Sequence, residues 1–359
     1  YLRSIRVNKE SKENIMKLMK TEEAVGQVLC HDITQIIPGV TKDAVFRKGH
    51  IITKEDIPVL LSVGKEHIYI WEKDEHMLHE DEAAQIRYEM CRNEHMHPSA
   101  VKEGKIELIA DCDGLFKVDR EKLRKVNSLG EMMIATRHGN TFVKKGDKLA
   151  GTRIIPLVIE KEKMERAKEI CNDGSILEIK PLQPKKAAIL TTGSEVYHGR
   201  IQDKFTPVLV EKLKEYGSEV IFHEIYDDDH EAITKGCLSA IEQGADLVLC
   251  TGGMSVDPDD KTPLAIKNTG ARIVSYGAPV LPGAMFLVSY YEYKDKTIPI
   301  VGLPGCVMYA KRTIFDLALP RLLADDFITA EELALLGEGG LCLNCPVCTY
   351  PNCGFGKGW

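Results

Sequence analysis

The chain has no apolar run approaching the ~18 residues that a membrane-spanning helix needs. Nor does a charged, then apolar, then small leader open its 359 residues. A cytoplasmic protein is the expectation. Positive charge is not in excess either: the formal net charge is −7, which argues against a nucleic-acid partner and against an anionic membrane surface. There is no Walker Gly-x-x-x-x-Gly-Lys-Ser/Thr and no Rossmann Gly-x-Gly-x-x-Gly, so a nucleotide held in either of those ways is excluded. No Gly-x-Ser-x-Gly elbow suggests a serine hydrolase. The zinc-protease His-Glu-x-x-His is missing too, because Ala83 follows Glu82 where a second histidine would stand. Eleven cysteines are too few and too scattered for a disulfide scaffold. Seven lie apart, at Cys30, Cys91, Cys112, Cys171, Cys237, Cys250 and Cys306, and four crowd the end.

The length suits two or three domains. Residues 1–15 are polar and read either as a short arm or as foreign sequence ahead of Met16. Residues 16–180 read as an α+β region with several short β segments, divisible into two small subdomains. Thr53 with Asp56 three residues on resembles a capping box, and residues 67–71 alternate as a strand. Residues 74–92 are rich in histidine and carboxylate. His79 and Glu82 have metal-ligand spacing, but a solvated acidic helix start is the preferred reading. Alternating strands are expected within 104–118 and 131–152, and a charged helix over 158–171. No catalytic signature is found in this region.

From residue 176 the pattern becomes regular. Residues 181–326 alternate short apolar strands with amphipathic helices, which predicts an α/β domain with a doubly wound, mostly parallel sheet. Strands are expected at 187–190, 220–222, 246–250, 273–275 and 298–301, and a closing helix over 309–323. Four turns leave strand ends, at residues 191–195, 251–260, 282–285 and 303–307. In a parallel sheet these converge on one crevice at the carboxyl edge. Their glycines let backbone N–H groups approach an anion, and Thr191, Thr192, Ser194, Thr251 and Ser255 add neutral donors. A phosphate suits such a set.

Three carboxylates, Asp257, Asp259 and Asp260, fall in four positions of the second turn. Beside a phosphate they would repel it unless a cation lay between, and magnesium shared by one or two carboxylates and a substrate phosphate answers that. Capping the helix at Thr262 needs only one carboxylate, so function is preferred over capping. Glu195 could join from the first turn. Asp227, Asp228 and Asp229 are read by default as a helix cap, and a metal cluster with His223 and His230 is the weaker alternative.

The residues that carry these turns resemble the molybdopterin-binding domain shared by gephyrin, the molybdopterin adenylyltransferases and the molybdopterin molybdotransferases. Thr251-Gly252-Gly253-Met254-Ser255-Val256 is similar to the molybdotransferase Thr-Gly-Gly-x-Ser-Val, while Pro258, Asp260, Thr262 and Pro263 look more like the adenylyltransferase loop. Residues 184–195 resemble the molybdotransferase motif that opens the domain, and Leu303-Pro304-Gly305 matches a turn of both. The resemblance implies molybdopterin, a pterin dithiolene with a terminal phosphate, together with magnesium. It also implies adenylylation of that phosphate or exchange of the adenylate for molybdate. It places Thr192, Gly193, Ser194, Thr251, Gly252, Gly253, Ser255, Pro282, Gly283, Pro304, Gly305 and Cys306 around the cofactor. Asp260, Asp257 and Glu195 become the catalytic acids, with Asp257 and Asp260 on the metal. Departures occur at Cys306, where the family has Asn or Ser, and at Ala284-Met285, where molybdotransferases place a lysine before a proline. A non-catalytic carrier that passes the cofactor to a molybdoenzyme is therefore the second reading. A homo-oligomer is expected.

Beyond a joint at 337–340, residues 337–359 form a cysteine-rich tail, Cys342-x-x-Cys345-x-x-Cys348-x-x-x-x-Cys353. Overlapping Cys-x-x-Cys steps resemble the loop around a cubane iron–sulfur cluster, which is preferred over zinc. A metal-free thiol tail is the third alternative.

Overall fold

The computed structural model describes residues 16–37, 41–71 and 76–358; the polar residues 1–15, and Asp74 and Glu75 of the acidic stretch, lie outside them. The chain packs as two compact units. One comprises Tyr1–Ile109, Asp119–Arg137 and Lys148–Leu177, the other Ala110–Val118, His138–Asp147 and Glu178–Trp359. No helix among the described residues is long and apolar enough to cross a membrane.

The first unit is built of short antiparallel ladders. Met16–Lys20 pairs with His67–Trp71, Ile33–Ile37 with Thr41–Phe46, and Met77–His79 with Val158–Glu160. A four-stranded sheet follows the order Met96–Pro98, Ile106–Ala110, Lys148–Ile154, Met132–Thr136. Ahead of the helix Asp56–Ser62, Asp56 accepts from the Thr53 amide at 2.8 Å and from its hydroxyl at 2.9 Å. The acidic stretch does form a helix, Glu80–Cys91, whose start is solvated only in part: His79 is 2% exposed and Glu80 7%, while Asp81 is half-buried and Glu82 exposed. His79 and Glu82 form a capping box, with the His79 amide donating to Glu82 at 3.0 Å, so their spacing serves the helix end. Arg87 is fully buried and donates to the Thr152 hydroxyl and the Gly104 carbonyl. The charged segment after residue 157 opens as the strand Val158–Glu160 before it becomes the helix Lys161–Ile170.

The second unit holds a six-stranded, mostly parallel sheet. Its strands are β1 (Lys186–Thr192), β2 (Glu219–Tyr226), β3 (Leu247–Thr251), β4 (Arg272–Tyr276), β5 (Leu287–Tyr293) and β6 (Lys296–Leu303). They lie in the order β2-β1-β3-β6-β5-β4. The first four run parallel, and β5 lies antiparallel between β6 and β4. Strand β5 escapes the sequence pattern because Leu287, Val288, Ser289 and Tyr290 are all buried, which leaves no period-2 alternation to read. Helices α1 (Ser194–Tyr197), α2 (Phe205–Lys214), α3 (His230–Glu242), α4 (Thr262–Asn268), α5 (Ile314–Leu323) and α6 (Ala330–Leu335) complete the unit. Alternate residues of the central strands feed two cores. Ile189, Leu249 and Val301 pack with Leu209 of α2 and Phe315 of α5. Leu190, Cys250 and Ile300 pack with Ile233 of α3 and Ile266 of α4. The closing helix starts at Ile314, not near Tyr309, because Thr313 and Asp316 form a capping box there and a 3-10 turn occupies Gly305–Met308.

Asp326, just past α5, ties the hairpin strand Gly114–Val118 to this unit. It meets Lys117 at 2.8 Å, Lys180 at 2.8 Å and Arg321 at 2.6 Å, and is 7% exposed. Burial pushes its carboxyl up, but Arg321, Lys117 and Lys180 outweigh that and hold it at about 2. A carboxylate held below its unfolded value stabilises the fold above that value, and the contribution is lost as pH falls through the folded one. Asp326→Asn is expected to cost about 3 kcal/mol near neutral pH, since it removes the carboxylate shared by Lys117 and Lys180 and leaves Arg321 with Glu332 alone. In denaturant unfolding the difference from the parent should shrink between about pH 5 and about pH 2.

Candidate functional site

The carboxyl ends of β1, β3 and β6 lie in register: Thr191 pairs with Thr251, and Thr251 with Leu303. The turns that leave them are therefore brought to one edge of the sheet. Gly252 has φ 84°, and a Cβ on it would overlap the carbonyl oxygen of Thr192. Only glycine permits so close an approach of the first and second turns. Gly253, at φ 53°, would set a Cβ 2.9 Å from the Thr262 hydroxyl. That hydroxyl donates to the Gly252 carbonyl at 2.9 Å and lies 2.9 Å from the Thr192 hydroxyl. Thr262 opens α4 as expected, but its side chain clamps the turn instead of capping the helix. Met254 folds inward, 4% exposed, and a Cβ on Gly302 would meet its sulfur at 2.6 Å. Tyr276, at the end of β4, fixes the turn from outside by donating to the carbonyls of Met254 at 2.8 Å and Ser255 at 3.2 Å.

Thr251 is fully buried, and its hydroxyl has no hydrogen-bond partner. A buried hydroxyl left unpaired costs about 1–3 kcal/mol, and this one stands at the strand end where a ligand's polar atom would satisfy it. Ser255 and Asp257 are exposed and Asp260 is half-buried. Asp257 and Asp260 belong to one turn: the Asp260 amide donates to the Asp257 carbonyl at 3.0 Å, and the Asp257 amide to the Asp260 carboxylate at 3.3 Å.

Glu195 lies on α1, exposed, and reaches back to within 3.2 Å of where a Gly193 Cβ would stand. The Ser194 amide donates to Asp228 at 3.0 Å. Asp228 is the acid that the cap reading of residues 227–229 overlooks, since Asp229 alone caps α3, through the amides of Glu231 and Ala232. Burial pushes the Asp228 carboxyl up; Asp227, Glu195 and Asp260 push it further, against the Ser194 amide. The charges of Glu195, after β1, and Asp260, after β3, thus reach Asp228, after β2. His223 and His230 do not join them: His223 contacts Asp203 and Thr206, and His230 lies 3.5 Å from the Asn268 amide.

Asp203, also unforeseen, accepts from Thr206, Phe205 and Thr191. Burial raises its carboxyl, but these hydrogen bonds outweigh it and hold it low. A surplus of carboxylates over caps is the signal that flags residues 257–260, and it flags 227–229 equally. Asp203 offers no such signal.

The remaining turns lie as follows. Gly283, φ 134°, is buried with its Cβ position filled by Ile314, and Pro282 is half-buried. Pro304 is buried, Gly305 exposed with nothing within 4 Å of its Cβ position, and Cys306 half-buried. Burial pushes the Cys306 thiol up. In the tail, Cys342 and Cys353 are half-buried and Cys345 and Cys348 exposed. Among the described residues, no three His, Cys, Asp or Glu side chains are gathered to hold one metal ion.

A parallel sheet whose glycine turns carry hydroxyls and acid at one edge defines an anion-binding α/β domain. Residues 188–324 match the family described as "Probable molybdopterin binding domain". Residues 18–72 match "Domain of unknown function (DUF8806)". The chain is 28% identical over 135 residues to a molybdopterin adenylyltransferase of Pyrococcus furiosus, covering 38% of this chain and 76% of that protein. It is 36% identical over 77 residues to a CinA-like protein of Mycobacterium tuberculosis, which is 21% of this chain and 18% of that protein. Among solved structures it is similar to the tungsten cofactor synthesizing protein MoaB from Pyrococcus furiosus, at 19% identity and a TM-score of 0.34, covering 40% of this chain and 97% of the other.

Gly252→Ala is expected to destabilise by about 2–3 kcal/mol through overlap and left-handed strain, measured by denaturant unfolding. Gly305→Ala, which meets no neighbour, should unfold at the parent's midpoint.

Proposed function

We propose that the strand-end crevice binds molybdopterin through its terminal phosphate and transfers a group at that phosphate. The unpartnered buried hydroxyl of Thr251 carries this reading. It sits beneath two glycines whose close approach to Thr192 and Thr262 leaves no side chain between backbone and guest. Thr251, Gly252, Gly253, Ser255 and, from the fourth turn, Gly305 would hold the phosphate side. Pro282, Gly283, Pro304 and Cys306 would border the pterin.

The acid edge fits magnesium. Burial, with Asp227, Glu195 and Asp260 nearby, raises the cost of ionising Asp228, and a divalent cation shared with a phosphate would relieve that repulsion. Asp257 and Asp260 would hold it, with Glu195 and Asp228 approaching from the neighbouring turns. The bound ion supplies charge neutralisation between phosphate and acid. The transfer this serves is attack of the terminal phosphate on the α-phosphorus of ATP with loss of pyrophosphate, or exchange of an adenylate for molybdate. The protein's own part is to orient the phosphate and exclude water.

A second reading, a carrier that hands the cofactor to a molybdoenzyme, is favoured by Cys306 and by Ala284-Met285, where the resembled enzymes have polar groups. Purified molybdopterin, magnesium and ATP or molybdate separate the two. Adenylate formation or molybdate insertion supports transfer, whereas tight binding without turnover supports the carrier. Asp260→Asn should weaken magnesium-dependent binding by about tenfold, the value of one lost charge contact. Asp228→Asn should weaken it less. Titration of each variant with and without magnesium checks this, and equal affinity for the parent and Asp260→Asn would overturn the site.

A further inference from the structure

We infer that the cysteine tail is the ligand set of a cubane iron–sulfur cluster, seated in a cavity of about 500 Å3 that Cys342, Cys345, Cys348 and Cys353 all line. The site is separate from the pterin reading and needs no pterin to be tested. Of these four thiols within twelve residues, Cys345 and Cys348 are exposed, while Cys342 and Cys353 are half-buried against the domain core. Their spacing follows the Cys-x-x-Cys-x-x-Cys loop that wraps a cubane, with a fourth thiol just beyond.

The size of the space decides between a cluster and a single ion. Tetrahedral zinc draws its sulfurs to within about 4 Å of one another. Here all four thiols line one cavity of about 500 Å3, and no three of them are gathered about a single ion position. Charge agrees. Four thiols that ligate a [4Fe–4S] core of charge 2+ release four protons and leave a site of net charge 2−. Arg312 and Lys311 line the same cavity. Arg312 donates to Asp316 at 2.8 Å and lies over the Tyr350 ring at 5.0 Å, while Lys311 donates to the Pro346 carbonyl at 3.2 Å. Two cations thus border the cavity, one of them already paired with a carboxylate.

The tail is held in place before any metal binds. The Leu281 amide donates to the Gly340 carbonyl and the Cys342 amide to the Leu281 carbonyl, both at 2.8 Å. A Cβ on Gly340 would overlap the carbonyl oxygens of Pro279 and Leu336, so the expected flexible joint is a packed crossing. Tyr350 donates to the Asp316 carbonyl at 3.1 Å, and Phe355 is buried in the domain core.

The test is anaerobic reconstitution of the full chain with ferrous iron and sulfide. About four irons and four sulfides per chain are expected, with visible charge-transfer absorption that dithionite bleaches. Cys345→Ala and Cys348→Ala, both at exposed positions, should lose more than half of the iron while keeping the parent's circular dichroism. Cys112→Ala should keep all of it. Arg312→Gln should keep the iron and lower the midpoint potential, which a packing role alone would not do. One zinc per chain that survives reconstitution, two irons per chain, or iron indifferent to Cys345→Ala and Cys348→Ala would each overturn the cluster. None of these readings involves pterin, and pterin binding can be measured on cluster-free protein, so the two assignments fail separately.

Discussion

The second unit's site depends on one close approach, the backbone of Gly252 against the carbonyl of Thr192. Any side chain at 252 would part the two turns. Their separation would release the hydroxyl pair of Thr192 and Thr262 and the clamp from Thr262 to the Gly252 carbonyl. Met254 then has its place because Gly302, on the neighbouring strand, leaves room for its sulfur. The sheet register supplies the rest, since Thr191, Thr251 and Leu303 end side by side. A site of this kind is made by backbone geometry first and decorated by side chains second, which suits recognition of a phosphate through N–H groups.

Burial pushes two carboxylates on this edge up, yet their neighbours shift them in opposite directions, and the contrast separates structure from function. Asp203 is surrounded by donors from Thr191, Phe205 and Thr206, so its ionised form is favoured despite burial. It is a knot between β1 and α2. Asp228 has one amide donor and three acidic neighbours, so its ionised form is penalised. Fully paired charge reads as architecture, while like charges left facing one another read as a place for a cation. The same test sets Asp326, saturated by three cations, among the structural groups.

Much of the domain was legible in the sequence, because its physics is local. Buried parallel strands are short apolar runs, and glycine turns and caps announce themselves, so the strand-end loops could be placed without coordinates. Strand β5 was not legible, because it lacks alternation and its Ser289, Tyr290 and Glu292 also break the continuous apolar run that marks β1 and β3. Asp203 and Asp228 were not legible because their meaning lies in partners across the fold. The first unit was read least well. Residues 79–92 look like a solvated acidic helix, yet Glu80 and Arg87 are buried. A charge run predicts solvation only until tertiary partners draw it inside: Arg87 donates to Thr152 and the Gly104 carbonyl, with its Nη1 left unpaired.

The tail shows the same limit from the other side. Its cysteine spacing is a purely local signal, and it names a chemistry without naming a place. The fold supplies the place: residues 340–342 run against Leu281, one residue before the turn at Pro282 and Gly283. Pro282 belongs both to that turn and to the cavity wall beneath the thiols. Order in the tail is therefore order in the third strand-end turn. Whatever fills the cysteine cavity acts on a segment already hydrogen-bonded to Leu281, at the entry to the third strand-end turn. Because Tyr350 and Phe355 pack into the domain core, the tail is part of that domain and not an appendage to it.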